Sequence, residues 1–175
     1  VNGAGADLKS VNASTATGAV TVPAITGTAG LTITGGAGND NLTGTTVNDV
    51  IASGAGDDTI NGGTGNDNID AGAGNDSISI SITALDLTKD DTITGGDGTD
   101  TITVSAASYD KTLTTQNAAN ISGFEVLSVA ASGSADVRSF SGNTGLTTFE
   151  AAGASATLSG LSTTAATVTA KALNG

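Results

Sequence analysis

The chain has 175 residues and a formal net charge of −12, with three Phe, one Tyr and no Trp, Met, Cys or His. So few aromatic side chains argue against a conventional globular core, and the abundance of Gly, Ala, Thr and Asn predicts short strands joined by tight turns. The five Lys and Arg residues are scattered, which excludes a basic stripe for nucleic acid, and no apolar run is long enough for membrane insertion. We therefore expect an all-β protein.

The first stretch, residues 1–34, carries single aliphatic residues among small polar ones. This pattern predicts short β-solenoid-like strands. Its last unit, residues 26–34, has the phase of the units that follow it: Ile33 stands in their aliphatic position, but Leu31 stands where they carry an aspartate. We interpret this unit as a cap on the array, without a metal ligand.

The second stretch, residues 35–103, consists of nine-residue units with the consensus GGxGxDxUx, where U is aliphatic. Six residues at 80–85 interrupt it, and the alternation SISISIT there predicts a longer strand. The stretch holds twelve aspartates against the single Lys89, a net charge of −11. Seven of these aspartates stand at the D position of a unit, two residues before an aliphatic side chain: Asp40, Asp49, Asp58, Asp67, Asp76, Asp91 and Asp100.

The nine-residue period predicts a parallel β-roll in which two units complete one turn, so that aspartates two units apart stack. Adjacent parallel strands lie about 4.8 Å apart, and calcium–oxygen distances are about 2.3–2.6 Å. A calcium ion therefore fits between carboxylates one turn apart. The predicted pairs are Asp40 with Asp58, Asp58 with Asp76 and Asp49 with Asp67. If the coil resumes in phase after Leu85, Asp67 with Asp91 and Asp76 with Asp100 are added, which gives about three to five ions.

A solvated acidic surface is the alternative explanation for the aspartates, but it does not require Gly at fixed offsets. Loops that turn their carbonyls toward an ion need positive φ, which Gly tolerates. The absence of His and Cys argues against zinc or iron and against most catalytic chemistry, so we expect no enzyme activity. Without metal the stacked carboxylates repel, and folding of residues 35–103 is predicted to depend on calcium.

The third stretch, residues 104–175, is expected to be a loop followed by looser β-solenoid-like repeats. VLSVAASGSADV (126–137) and LTTFEAAGASAT (146–157) are similar to each other. Glu125, between two apolar residues, is expected on the outward face of a strand. We interpret the chain as a fragment of a longer array.

The units GGAGNDNLT (35–43) and GGTGNDNID (62–70) resemble the RTX calcium-binding nonapeptide at every position. The loops GTTVND (44–49) and DLTKDD (86–91) depart from it and are weaker candidates. The resemblance implies that carbonyls from the first four loop positions join the aspartates as calcium ligands, which adds Gly35, Gly36, Gly38, Gly54, Gly56, Gly62, Gly63, Gly65, Gly72 and Gly74.

The flanking segments SGFEVLSVAASGSADV (122–137) and LTTFEAAGASATLSG (146–160) look like the β-solenoid stretches around RTX repeats in the surface-layer (S-layer) proteins of Gram-negative bacteria. This resemblance implies a protein secreted by a type I system to the cell surface, with neighbouring copies as its partners in a calcium-dependent lattice. RTX repeats also serve toxins, adhesins and enzymes. The alternative is therefore a calcium-dependent folding and secretion module of such a protein.

Overall fold

The computed structural model describes residues 8–82, 91–106, 120–129, 134–136, 145–151 and 157–159. These residues form strands and no helix, and hence none of them belongs to a helix that could cross a membrane. The all-β prediction is confirmed. The strands are β1 (Ser10–Asn12), β2 (Thr21–Val22), β3 (Thr32–Thr34), β4 (Asn41–Thr43), β5 (Val50–Ala52), β6 (Thr59–Asn61), β7 (Asn68–Asp70), β8 (Ser77–Ile82), β9 (Thr92–Thr94), β10 (Thr101–Ala106), β11 (Ile121–Ser122), β12 (Val126–Val129), β13 (Ser134–Asp136), β14 (Thr148–Ala151) and β15 (Thr157–Ser159).

Two parallel sheets face each other across the core. The first has the order β1-β3-β5-β7-β9-β11 and the second has the order β2-β4-β6-β8-β10-β12-β14. From β1 to β12, consecutive strands thus alternate between the sheets, so each turn of the coil contributes one strand to each. This topology is the parallel β-roll that the nine-residue period predicted. The strands β13 and β15 form a separate parallel pair.

Most strands of the repeat have only three residues, and the middle side chain points inward. The burial pattern is exposed, buried, then half-buried or exposed, because successive side chains of a strand point to opposite faces. Aliphatic residues at the middle position stack on their equivalents in the next turn, as the pairing of Ile51 with Ile69 and of Ile60 with Ile78 shows. The core is therefore a pair of ladders: Ile33, Ile51, Ile69, Ile93 and Ile121 in the first sheet, and Val22, Leu42, Ile60, Ile78, Ile102, Leu127 and Phe149 in the second.

The six-residue interruption is accommodated without loss of register. The strand β8 runs for six residues, as the alternating sequence predicted, and pairs along its whole length with β10. Beyond the interruption, Asn68 pairs with Thr92 and Ser77 pairs with Thr101. The coil therefore resumes in phase, which was the condition for the two additional aspartate pairs.

Apart from β13 and β15, the described strands outside the repeat belong to the same two sheets. On one side β1 pairs with β3 and β2 pairs with β4; on the other, β11 pairs with β9 and β12 pairs with β10. In the unit at 26–34, Leu31 is buried and Ile33 pairs with Ile51. The ladders thus run through residues 35–103 into both flanks, while the three-part division of the chain stays a prediction.

Truncation of a ladder residue is expected to destabilise the roll. Ile60 is fully buried, and Ile60→Ala should lower the free energy of unfolding by about 2–5 kcal/mol because the stacked neighbours cannot collapse into the cavity. The matched control is Val50→Thr: Val50 is 48% exposed, and its change should stay within about 0.5 kcal/mol. Urea unfolding at saturating calcium measures both. Equal losses in the two variants would contradict the ladder as the source of the core.

Candidate metal centre

The predicted aspartates stack along the two edges of the roll. Loops 35–40, 53–58, 71–76 and 95–100 lead from the first sheet to the second and form one edge; loops 44–49 and 62–67, with Asp91, lie on the other. Each loop ends in its aspartate, and every one of these carboxylates is at most 5% exposed: Asp40, Asp58, Asp76 and Asp100 on the first edge, and Asp49, Asp67 and Asp91 on the second. All seven are thus brought to the loop edges of the core.

One oxygen of each carboxylate binds the backbone of the preceding turn. On the first edge, Asp58 Oδ1 accepts the Asp40 N–H at 2.7 Å, Asp76 Oδ1 accepts the Asp58 N–H at 2.8 Å, and Asp100 Oδ1 accepts the Asp76 N–H at 2.9 Å. On the second edge, Asp67 and Asp91 bind in the same way to the aspartate one turn earlier, at 2.9 and 2.7 Å. The predicted pairs, including the two across the interruption, are therefore consecutive members of two ladders.

The second oxygen differs from turn to turn. Asp40 Oδ2 accepts the Gly36 N–H at 2.9 Å, and Asp49 Oδ2 accepts the Thr45 N–H at 2.5 Å. By contrast, Oδ2 is buried without a hydrogen-bond partner in three consecutive members of the first edge: Asp58, Asp76 and Asp100. A buried charged oxygen with no partner is strongly unfavourable. These three atoms therefore need a proton or a cation.

The pKa values of the same three carboxyls point to this need. Burial raises the pKa of Asp76 from 3.8 to about 6, against the lowering effect of its hydrogen bond from Asp58. Burial likewise raises the pKa of Asp58 and of Asp100 above 3.8. Lys9, the one Lys or Arg in the part of the chain that the structure describes, is exposed. No described basic side chain therefore neutralises this edge.

The loop glycines allow the turns to stack with almost no gap. Gly54, Gly63 and Gly72 in the second loop position, and Gly56, Gly65 and Gly74 in the fourth, all have positive φ. A Cβ on Gly72 would overlap the carbonyl oxygen of Gly54 in the preceding turn, and a Cβ on Gly54 would overlap that of Gly36. The predicted glycines Gly35, Gly36, Gly38 and Gly62 are not in the left-handed region, so close approach rather than φ selects glycine there.

Carboxylate and carbonyl oxygens converge at the first loop position. A Cβ on Gly35 would meet Asp40 Oδ2 together with the Ser53 carbonyl oxygen of the next turn. A pocket on the second edge is lined by Gly62, Gly63, Asp67, Ile69, Ser79, Asp91 and Ile93. No group of three or more acidic side chains suited to a metal occurs within the described ranges, so backbone carbonyls would supply much of any coordination shell.

These residues fit a hard divalent cation. The donors are carboxylate and carbonyl oxygens, the three unpartnered Oδ2 atoms need positive charge, and neither His nor Cys exists in the chain to favour zinc. The parallel roll and its buried edge carboxylates thus define a cation-binding β-roll. In comparison with known protein families, residues 32–51, 43–78 and 84–106 match the RTX calcium-binding nonapeptide repeat (4 copies). The chain therefore contains RTX-type repeats in these three ranges. Neither the curated proteins nor the solved structures gave a match.

The structure bears on the prediction of a weaker site for only one of the two loops that depart from the consensus. In GTTVND, the Thr45 hydroxyl and N–H both bind the Asp49 carboxylate, at 3.0–3.1 Å and 2.5 Å. These donors compete with a cation for the carboxylate, which favours the prediction of a weaker site. Of DLTKDD only Asp91 lies within the described residues.

Sequence reasoning missed three residues of these edges. Gly96 and Gly98 have positive φ, as do the glycines at the second and fourth positions of three other loops. The loop sequence GGDGTD (95–100) matches the consensus and was sufficient to identify both. Glu125 was wrongly expected on the outward face of a strand: it lies immediately before β12, half-buried, and its Oε2 accepts the Asp100 N–H at 2.8 Å. The signal was its spacing, because Glu125 stands two residues before Leu127.

Adding a single methyl group in a loop is expected to disrupt the stack. Gly72→Ala would force Ala into φ +92° and against the Gly54 carbonyl oxygen, so the free energy of unfolding in calcium should fall by at least about 1–3 kcal/mol. Gly18→Ala is the control, because a Cβ on Gly18 meets nothing within 4 Å. Urea unfolding of both variants is the measurement. A Gly72 variant as stable as the Gly18 variant would contradict the close stacking.

Acid is expected to lessen the dependence of folding on calcium. The pKa of Asp76 is raised to about 6 in the fold, against 3.8 when unfolded, so the metal-free fold gains stability as the pH falls through 6. A proton then neutralises the buried carboxyl in place of a cation. The β-structure that circular dichroism detects without calcium should therefore increase from pH 7 to pH 5 and barely change from pH 8 to pH 7. Equal β-structure at pH 5 and pH 7 in the absence of calcium would refute this reading.

Proposed function

We propose that this chain is a structural segment of a bacterial surface layer whose folding outside the cell depends on calcium. The observation that carries the calcium part is the run of three buried, unpartnered carboxylate oxygens on the first edge. The surface-layer part rests on the flanking sequences and on their continuity with the roll. The two parts are supported by different observations and are tested separately.

Calcium dependence follows from the position of the aspartate charges at the edges of the roll. The D-position aspartates must lie at the roll edges whenever the Ile ladder forms, because D and U are two residues apart in every unit. Folding without a counter-ion therefore stacks buried like charges one turn apart. Bound calcium supplies the positive charge that offsets this repulsion.

The calcium concentration at which such a chain would fold suits an exported protein. Extracellular calcium modules bind with dissociation constants of about 10⁻⁴–10⁻³ M, far above the calcium concentration inside a cell. Binding to the folded state alone then stabilises it only outside the cell. On this proposal the chain passes through its export machinery unfolded and its Ile ladder forms at the surface.

The structural role is supported by the way the roll joins its flanks. The strand β12, from the segment VLSV, pairs in register with β10 of the repeat, and β14, from TFEA, pairs with β12. The calcium repeat is thus one part of a continuous parallel stack of strands and not a separate domain joined to it by a linker. A long, regular stack of this kind suits a protein that presents repeated surfaces to neighbouring copies.

We further propose that this segment carries no catalytic activity. The chain has no His or Cys, and each D-position aspartate has one oxygen bound to the backbone of the preceding turn. Carboxylates held in this way are poorly placed for general acid–base work, which requires an accessible group with a free proton path.

Calcium titration of the chain, followed by far-UV circular dichroism and light scattering, tests both parts. We expect a cooperative gain of β-structure with calcium but not with magnesium, accompanied by growth into large ordered particles. Folding into a strictly monomeric product would contradict the surface-layer role and favour a folding and secretion module of a toxin, adhesin or enzyme. No response to calcium would contradict the metal assignment.

Removing one stacked carboxylate is expected to shift the calcium requirement. Asp76→Asn keeps the size and the acceptor for the Asp58 N–H but removes an unpartnered anionic oxygen. It should raise the calcium midpoint at least several-fold and reduce the number of bound ions. Asp70→Asn is the matched control: it removes the same charge from the exposed end of β7, and its midpoint should stay within about twofold of the parent because surface charges interact weakly. Equal shifts in both variants would show a general charge effect instead.

A further inference from the structure

The carboxylate stack of the first edge continues beyond the nonapeptide repeat. The register pairs Thr101 with Val126, so Glu125 occupies in its turn the place that Asp100 occupies in the preceding one. Glu125 Oε2 accepts the Asp100 N–H at 2.8 Å, just as Asp100 Oδ1 accepts the Asp76 N–H at 2.9 Å. A glutamate therefore forms the next member of the aspartate ladder.

The loop that carries Glu125 is shorter than the nonapeptide loops. Between β9 and β10 lie the six residues 95–100, whereas between β11 and β12 lie only the three residues 123–125. A glutamate side chain is one methylene longer than an aspartate side chain. The extra length lets its carboxylate reach the ladder position from a shorter turn.

The oxygen arrangement of the repeat recurs at this turn. A Cβ on Gly95 would meet the Gly123 carbonyl oxygen and, at 2.8 Å, Asp100 Oδ2. The same combination of a next-turn carbonyl oxygen and an aspartate Oδ2 surrounds Gly35 and Gly44 within the repeat. This pair of oxygens, which we call the oxygen cradle, is thus preserved at Gly95, although the next loop on this edge, residues 123–125, lacks the nonapeptide consensus.

The aspartate oxygen in this cradle is buried and lacks a partner. Asp100 is 0% exposed, and its Oδ2 accepts no hydrogen bond. Burial raises the pKa of Asp100, and the negative charge of Glu125 raises it further. Two adjacent carboxylates, one of them wholly buried, are stabilised by a cation between them. Glu125 itself is half-buried, which leaves one side open for water to complete a coordination shell.

We propose that Asp100, Glu125 and the Gly123 carbonyl form an additional site for a hard divalent cation, outside the nonapeptide repeat. This site rests on the calcium binding proposed above and extends the first-edge stack by one turn. The Glu125 carbonyl oxygen accepts the N–H groups of Thr147 and Thr148, both at 2.9 Å. A cation here therefore ties the calcium roll to the strands β12 and β14.

The number of calcium ions bound per chain tests this site. Native mass spectrometry of the 175-residue chain at saturating calcium would be compared with that of Glu125→Gln, which keeps the side-chain length and an acceptor for the Asp100 N–H. We expect the variant to bind one ion fewer. Glu150→Gln, in β14 and off the stack, removes the same charge and should bind as many ions as the parent.

The outcomes separate this site from the function on which it rests. A parent that binds calcium, with an unchanged ion count in Glu125→Gln, would overturn the additional site alone. A parent that binds no calcium would overturn both proposals. If Glu125→Gln does not fold, the anomalous density of crystals of the parent grown in calcium decides the question. A peak between Asp100 and Glu125 supports the site, and peaks confined to the nonapeptide aspartates overturn it.

Discussion

The stacking of identical carboxylates at the spacing of parallel strands constrains everything else in this roll. In a coil whose turns repeat, equivalent residues of successive turns stack on one another. An inward aliphatic residue therefore packs against aliphatic residues of the neighbouring turns, and a buried aspartate lies against other aspartates that repel it. The same register that pairs Ile60 with Ile78 places Asp58 against Asp76. The hydrophobic ladder cannot form without the charged one.

The backbone satisfies one oxygen of each buried carboxylate by a hydrogen bond, and the other oxygen is placed where a cation can bind it. By accepting an N–H from the preceding turn, Oδ1 fixes the orientation of each carboxylate and replaces a hydrogen bond otherwise lost on burial. The fixed orientation turns Oδ2 toward the first loop position and the carbonyl of the next turn, as at Gly35. An asparagine could donate and accept there without a metal. An aspartate makes the fold conditional on positive charge.

Much of the fold could be predicted because the repeat encodes it redundantly. The D-to-U spacing identified the buried aspartates and the core ladder together, and the alternating residues after Ile78 identified the long strand β8. Whether the coil resumes in phase after the six inserted residues could not be predicted, since it is shown only by the register of β7 with β9 and of β8 with β10. Glu125 was missed for a related reason: its loop has lost the consensus, and only the register of β12 on β10 shows that it continues the ladder.

The two edges of the roll are chemically unequal, and this inequality follows from single loop residues. On the second edge, Thr45 replaces a glycine and donates both its hydroxyl and its N–H to Asp49, so protein atoms already satisfy this carboxylate. On the first edge, consecutive Oδ2 atoms from Asp58 to Asp100 have no such donor, and the demand for a cation is concentrated there. That edge also carries Glu125, beyond which the chain continues as β12 and β14. The edge that holds the unpartnered carboxylate oxygens is thus also the edge on which Glu125 continues the stack toward β12 and β14.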